Sequence, residues 1–123
     1  MGAHQKFCKQ MKTLTEDEID QLSLLEEMYQ DGYFPNELVD RLKQILVDAC
    51  RSIETTAPKS EAELYVITHA ATERINDLQG DFEEAESEIE TVARDSIAVS
   101  FGKVATVYGF EADLEELVAT RDW

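Results

Sequence analysis

The chain has 123 residues, of which 27 are acidic and 11 are lysine or arginine, so its formal net charge is -16. A protein this acidic repels nucleic acid and anionic membranes and attracts basic proteins. Hydrophobic residues make up 43% of the chain, which suffices for a folded core and argues against disorder. We therefore expect no direct contact with nucleic acid and no membrane segment.

Cysteine usage and the first residues of the chain favour a cytoplasmic protein. Cys8 and Cys50 are too few for a disulfide framework, which is typical of a reducing compartment. The first twelve residues contain lysines but lack the apolar stretch of a secretory signal. We expect residues 1–14 to form a flexible arm and residues 15–123 to form a single helical domain.

Apolar residues recur at helical spacing from Thr15 onwards. Thr15 and Glu18 form the pattern of a capping box, which predicts that a first helix begins there and runs to Asp31-Gly32. Gly32 suits the left-handed position that ends a helix. Pro35 predicts the start of a second helix, since proline is tolerated in a first turn.

Two further helices and a short last one follow. Ser60 and Glu63 predict the start of a third helix that ends near Gly80. A fourth helix is expected to begin within the acidic residues that follow and to end at Gly109. The sequence predicts an all-α fold, a compact bundle of four main helices plus a short C-terminal helix.

The densest charge lies in one segment. Between Glu61 and Asp95 there are 11 acidic residues and two arginines. The partner-binding candidates among them are Glu83, Glu84, Glu86, Glu88 and Glu90. They either form a solvated helix start, stabilised by the helix dipole, or a docking surface for a basic partner. The spacing of a calcium-binding loop is missing.

Three aromatic residues are further candidates for contact with a partner. Tyr33 and Phe34 lie at the first helix joint, where such side chains more often fill the gap between helices. Trp123 at the C-terminus is either packed down or available to a partner.

Helix three carries a file of polar side chains. Its members are His69, Thr72, Glu73, Asn76 and Asp77. His69 and Glu73 at i and i+4 could share a metal ion, but the pattern is as typical of an exposed ion pair. No Gly-rich phosphate loop or nucleophile elbow is present. We predict no cofactor and no resident metal, and the sequence favours a non-enzymatic function.

Several strings resemble a known family. They are MYQDGYFP with LVD, THAATE with NDLQ, SEIET, YGF and a closing RDW. Together they cover about residues 25–123 and are similar to a family of small bacterial proteins of unknown function. The resemblance implies a bacterial, cytoplasmic protein and brings no catalytic residues with it. The polar file lies within the strings THAATE and NDLQ, so the resemblance implies that it has a role. That role is either a functional site or a set of buried hydrogen bonds.

Four functions follow from these observations. The first is an acidic module that binds a basic protein, as immunity proteins and antitoxins do. The second is a nucleic-acid mimic that inhibits a DNA- or RNA-binding protein. The third is a metal-dependent or small-molecule site around His69 and Glu73. The fourth is a structural oligomer, a homodimer for example, because wide apolar stripes would leave hydrophobic surface uncovered.

Overall fold

The computed structural model describes residues 12–123, and within them every regular element is a helix. The predicted compact all-α fold is confirmed. In chain order the helices are α1 (Glu16–Gln21), α2 (Glu26–Gln30), α3 (Asn36–Thr56), α4 (Glu61–Asn76), α5 (Gln79–Glu84), α6 (Thr91–Val107) and α7 (Leu114–Leu117). None of these helices has both the length and the apolar character needed to cross a membrane.

The helices pack around α3 and α6. Helix α3 packs against α4 and α6, while α6 also packs against α2 and α7. Three phenylalanines from separate parts of the chain, Phe34, Phe82 and Phe101, meet the core with at most 2% of their surface exposed. Large aromatic side chains bury more apolar area than any others. Their burial fixes α5 and the joint before α3 onto the two central helices.

The first predicted helix is divided into α1 and α2. The capping box at Thr15 forms as expected, but Ser23 and Leu25 adopt left-handed backbone angles, with φ of 54° and 59°. This break buries both Leu24 and Leu25, which a continuous helix would point 100° apart. The strained position of Leu25 is supported by its amide, which donates a hydrogen bond of 2.9 Å to Ser100 Oγ.

Two predicted helix ends are also displaced. Helix α2 ends at Gln30, and Gly32 does not take the left-handed conformation; Gly109, with φ of 89°, does so as predicted. Helix α4 ends at Asn76 instead of Gly80, and the chain then forms the separate helix α5, which buries Phe82 completely. The ends of these two helices are therefore determined more by which side chains are buried than by the positions of Gly32 and Gly80.

The N-terminal boundary of the domain needs a correction at Leu14. The predicted arm of residues 1–14 falls mostly on residues 1–11, outside the described part of the chain. Leu14, however, is 1% exposed in the core. Its amide donates to Glu54 Oε2 at 2.9 Å, and its carbonyl accepts from Arg51 Nη1 at 2.9 Å. The folded domain therefore includes Leu14.

Glu54 joins three separate parts of the chain. Its side chain on α3 is only 8% exposed. It accepts hydrogen bonds from the Leu14 amide, from Arg51 Nη1 and from the hydroxyl of Tyr108 at the end of α6. Burial alone would raise the pKa of this carboxyl, but the three donors together hold it below its usual value. Glu54 is therefore ionised and paired in the folded protein.

Glu54→Gln should lower the free energy of unfolding at neutral pH by about 1.5–3 kcal/mol, the range for hydrogen bonds to a charged group. Because the folded pKa is depressed, the charge stabilises the protein above the unfolded pKa of the carboxyl. That stability is lost as the pH falls through the folded pKa. Urea unfolding across a pH series should show the variant and the wild type converging in acid.

Glu37→Gln is the matched control, because Glu37 is exposed on the same helix. It should change the unfolding free energy by less than about 0.5 kcal/mol at every pH. Parallel pH profiles for Glu54→Gln and the wild type would contradict the assignment.

Candidate functional site

The acidic residues do not form the first turns of a helix as predicted, because Glu83 and Glu84 end helix α5 and residues 85–90 form a loop. We call residues 83–90 the acidic loop. Helix α5 ends at Glu84, Glu86 has a left-handed φ of 62°, and the Ser87 amide donates to the Phe82 carbonyl at 2.8 Å. That bond closes a Schellman-type helix end, with Glu86 in the position usually held by glycine. Helix α6 begins only at Thr91.

Side chains on the inner side hold the acidic loop in place. Ser87 is 2% exposed and its hydroxyl donates to the Tyr33 carbonyl at 3.1 Å. Ile89 is 8% exposed and belongs to the core. Glu86 and Glu88 remain exposed, so buried and exposed side chains alternate from Glu86 to Ile89. The acidic loop thus presents its carboxylates from a backbone anchored on both sides.

The charge of the acidic loop is uncompensated within residues 12–123. Glu83, Glu84, Glu86 and Glu88 are exposed, and none of them forms an ion pair there. Glu90 differs, since its carboxylate accepts from the Val92 amide at 2.7 Å and caps α6. The helix dipole therefore offsets the charge at Glu90 alone among the five. The other four are stabilised by solvent.

The three aromatic candidates lie in different environments. Tyr33 is 44% exposed and lies beside the acidic loop, because its carbonyl holds Ser87. Phe34 contacts the Tyr33 ring edge-on at 5.0 Å and is 2% exposed, so it fills the gap between helices, which is the alternative that the sequence favoured. Trp123 packs partly against the core, with the Arg121 guanidinium 5.8 Å from its ring centroid. Tyr33 is thus the aromatic that the fold brings to the acidic loop.

The polar file on α4 divides into two sets. His69, Thr72 and Asn76 face the C-terminal segment, residues 113–123, whereas Glu73 and Asp77 are exposed and form no side-chain hydrogen bond within residues 12–123. The first three residues follow the i, i+3, i+7 spacing of one helix face. Glu73 is turned 100° away from Thr72 and so points to solvent.

The inward set binds backbone groups of the C-terminal segment. His69 Nε2 lies 2.7 Å from the Glu116 carbonyl. Asn76 Nδ2 donates to the Thr120 carbonyl at 3.1 Å, and Asn76 Oδ1 accepts from the Asp122 amide at 3.1 Å. Thr120 returns a hydrogen bond of 3.2 Å from its hydroxyl to the His69 carbonyl. These bonds give backbone groups of the C-terminal segment partners on α4.

The geometry at His69 bears on metal binding. A carbonyl can only accept, so Nε2 carries the proton toward Glu116 and its lone pair is not available to a metal. The Tyr65 ring stacks on the imidazole at 6.0 Å. Within the described part of the chain, no three His, Cys, Asp or Glu side chains are grouped as a metal site would need. In this tautomer the available lone pair of the imidazole is that of Nδ1.

Sequence reasoning missed the residues that complete this contact. Tyr65 accepts a hydrogen bond of 3.2 Å from the Asp113 amide, and Gln79 donates to the Asp122 carboxylate. Tyr65 lies one turn before His69, and Gln79 lies three residues after Asn76. The same helical spacing, extended in both directions, would have found them.

Asn76→Ala should lower the free energy of unfolding by about 1–3 kcal/mol, because it leaves the Thr120 carbonyl and the Asp122 amide unpaired. Hydrogen exchange should accelerate at the amides of residues 118–123. Glu73→Ala is the matched control on the same helix. It should change the free energy of unfolding by less than about 0.5 kcal/mol and should not accelerate exchange at these amides. Equal effects of the two substitutions would show that the contact does not hold the C-terminal segment.

Comparison with known proteins identifies the chain at the level of its family. No curated protein and no solved structure was found to match it. A family model does match residues 18–123, which is most of the chain and includes the acidic loop, α4 and the C-terminal segment. The protein therefore belongs to DUF5713, a family of unknown function.

Proposed function

We propose that this protein is a binding module that docks on a basic protein through the acidic loop. The observation that carries the proposal is a set of four exposed carboxylates, unpaired within residues 12–123, on a backbone anchored by buried Phe82, Ser87 and Ile89. An anchored loop loses little conformational entropy on binding, which favours affinity. Clustered charge of one sign speeds association with an oppositely charged partner.

Tyr33 supplies the second element that such an interface needs. Charged rims contribute mainly to association rate, whereas a few aromatic or arginine side chains carry most binding energy. Tyr33 is 44% exposed and lies next to the acidic loop through the hydrogen bond between its carbonyl and Ser87. We infer that a basic partner contacts the Tyr33 ring and the loop carboxylates together.

The class of protein that fits best is a bacterial immunity protein or antitoxin acting in the cytoplasm. Such proteins are small and acidic and neutralise a basic toxin. Cys50 supports a reducing compartment, since it is a free, fully buried thiol whose pKa is raised to about 11 by burial. Co-expression with the partner, once captured, tests this class: growth should be rescued by the wild-type chain.

Substitution of the loop carboxylates tests the docking surface directly. In the loop variant, Glu83, Glu84, Glu86 and Glu88 are all changed to Gln. Basic proteins would be captured from native cell lysate at low salt, and their association rate constants measured on immobilised protein. We expect the rate to fall by about tenfold or more in the loop variant, because steering by clustered charge is lost.

The control variant changes Glu16, Glu26, Glu37 and Glu61 to Gln, four exposed glutamates outside the acidic loop. It has the same net charge as the loop variant, so it separates position from total charge. Its association rate constant should also fall, but the decrease in the logarithm of the rate constant should be less than half of that for the loop variant. Equal rates for the two variants would refute docking through the acidic loop.

A further inference from the structure

A second surface of the molecule is apolar and lies along α6. Leu22, Val99, Gly102, Val107, Ala112 and Leu114 line an open groove of about 720 Å³. Val99 also borders a neighbouring recess of about 200 Å³ that includes Val92 and Ser96. Val92, Val99 and Leu114 are 40%, 42% and 39% exposed, so residues 12–123 leave the groove as an uncovered hydrophobic face. Such faces usually mark interaction sites.

Gly102 determines the shape of the groove. A Cβ atom at this position would lie 2.5 Å from Leu114 Cδ2, so the Leu114 side chain packs directly on the backbone of α6. Glycine costs helix stability at an interior position, yet α6 continues through it to Val107. The close approach of Leu114 gives the groove an apolar wall along the side of α6.

The dimensions suit a helix of a partner protein. Helix α6 rises about 22 Å between Val92 and Val107, at roughly 1.5 Å per residue. An amphipathic helix of about four turns would match this length and would place side chains at i, i+3/i+4 and i+7 in the groove. The groove is open along its side, so it suits side chains of a protein better than it would enclose a small molecule.

The rim of the groove indicates the charge of that helix. Glu27 and Asp95 border the recess at the Val92 end, and Glu111 lines the groove at the other. Lys103 is the one cation among the residues that line the groove and the recess, so three carboxylates face a single ammonium group. The exposed rim is therefore acidic. A second copy of a chain with net charge -16 is a poor electrostatic match for it.

We propose that the α6 groove binds an amphipathic helix of the partner, with an apolar ridge in the groove and lysine or arginine side chains toward Glu27, Asp95 and Glu111. This inference rests on the proposed function for the basic character of the partner. It adds the secondary structure of the contacting segment and a second docking surface that is separate from the acidic loop.

Two synthetic peptides and a pair of substitutions test the groove. The first is a 15-residue Leu/Lys peptide with leucines at helical spacing; the second is an Ala/Lys peptide with the same lysines. Binding is measured by titration calorimetry and located by chemical-shift changes. The Leu/Lys peptide should bind the wild type about tenfold more tightly than the Ala/Lys peptide, because only leucine fills the groove.

Val99→Gln should weaken binding of the Leu/Lys peptide by about tenfold, since it puts an amide into the apolar groove. Val66→Gln is the matched control: Val66 is 69% exposed on α4, lines neither the groove nor the recess, and the charge is unchanged. Val66→Gln should leave binding within twofold of the wild type. Equal affinity of both peptides, or equal effects of both substitutions, would overturn the groove assignment.

The loop variant separates this inference from the proposed function. Peptide binding that depends on lysine content and on the acidic loop, but not on Val99, would overturn the groove and leave the proposed function standing. Peptide binding that depends on Val99 and is unchanged in the loop variant would support the groove. If the loop variant and its control also captured basic proteins at equal rates, the acidic loop alone would be refuted.

Other occupants of the groove give distinct results. A dimer in sedimentation velocity that dissociates on Val99→Gln, but not on Val66→Gln, would identify a second copy as the occupant and overturn the proposal. Tighter peptide binding after removal of residues 1–11 would identify the chain's own N-terminal segment as the occupant, and would also overturn it.

Discussion

The fold depends on the pairing of one buried carboxylate. Glu54 sits on α3 next to the buried Ile53 and one turn after the buried Cys50, and its side chain is only 8% exposed, so an unpaired charge there would cost several kcal/mol. It is tolerated because Leu14, Arg51 and Tyr108 donate to it. These donors come from the segment before α1, from α3 itself and from the end of α6. A single side chain thereby sets where the N-terminal segment and α6 meet the longest helix.

The same physical rule explains the C-terminal segment. Residues 113–123 contain only one short helix, so most of their backbone groups need partners outside regular structure. His69, Thr72 and Asn76 supply those partners from one face of α4. These three members of the polar file therefore form a structural contact. A helix with an all-apolar face would have offered these carbonyls and amides no side-chain partner.

These two contacts leave other surfaces of the molecule available. Within residues 12–123, four of the five carboxylates of the acidic loop form no ion pair and the α6 groove is not covered by another element. One surface is charged and the other is apolar with an acidic rim. In known interfaces, charge contributes mostly to the rate and specificity of association, and buried apolar anchors contribute most of the affinity. The two surfaces together meet both requirements.

Part of this candidate site could be predicted from the sequence. The clustered glutamates and the exposed Tyr33 were visible as composition and spacing. The sequence did not separate Tyr33 from Phe34, because adjacent residues point in different directions and only packing decides which one is buried. The sequence led us to expect uncovered apolar surface from the wide helical stripes, but it did not locate the groove. The groove arises from residues of α6, the α1–α2 joint and α7, whose proximity no local pattern encodes.

The sequence by itself determined the helical character of the chain, the capping at Thr15, the stop at Gly109 and the dominance of acidic charge. Helical periodicity and capping are local, so they can be recognised within a few residues. Only the tertiary structure decided the breaks at Ser23–Leu25 and at Glu86. Both place non-glycine residues in left-handed conformations, which are supported by the hydrogen bonds Leu25–Ser100 and Ser87–Tyr33. Those partners lie 75 and 54 residues away in the chain, beyond the reach of any local pattern.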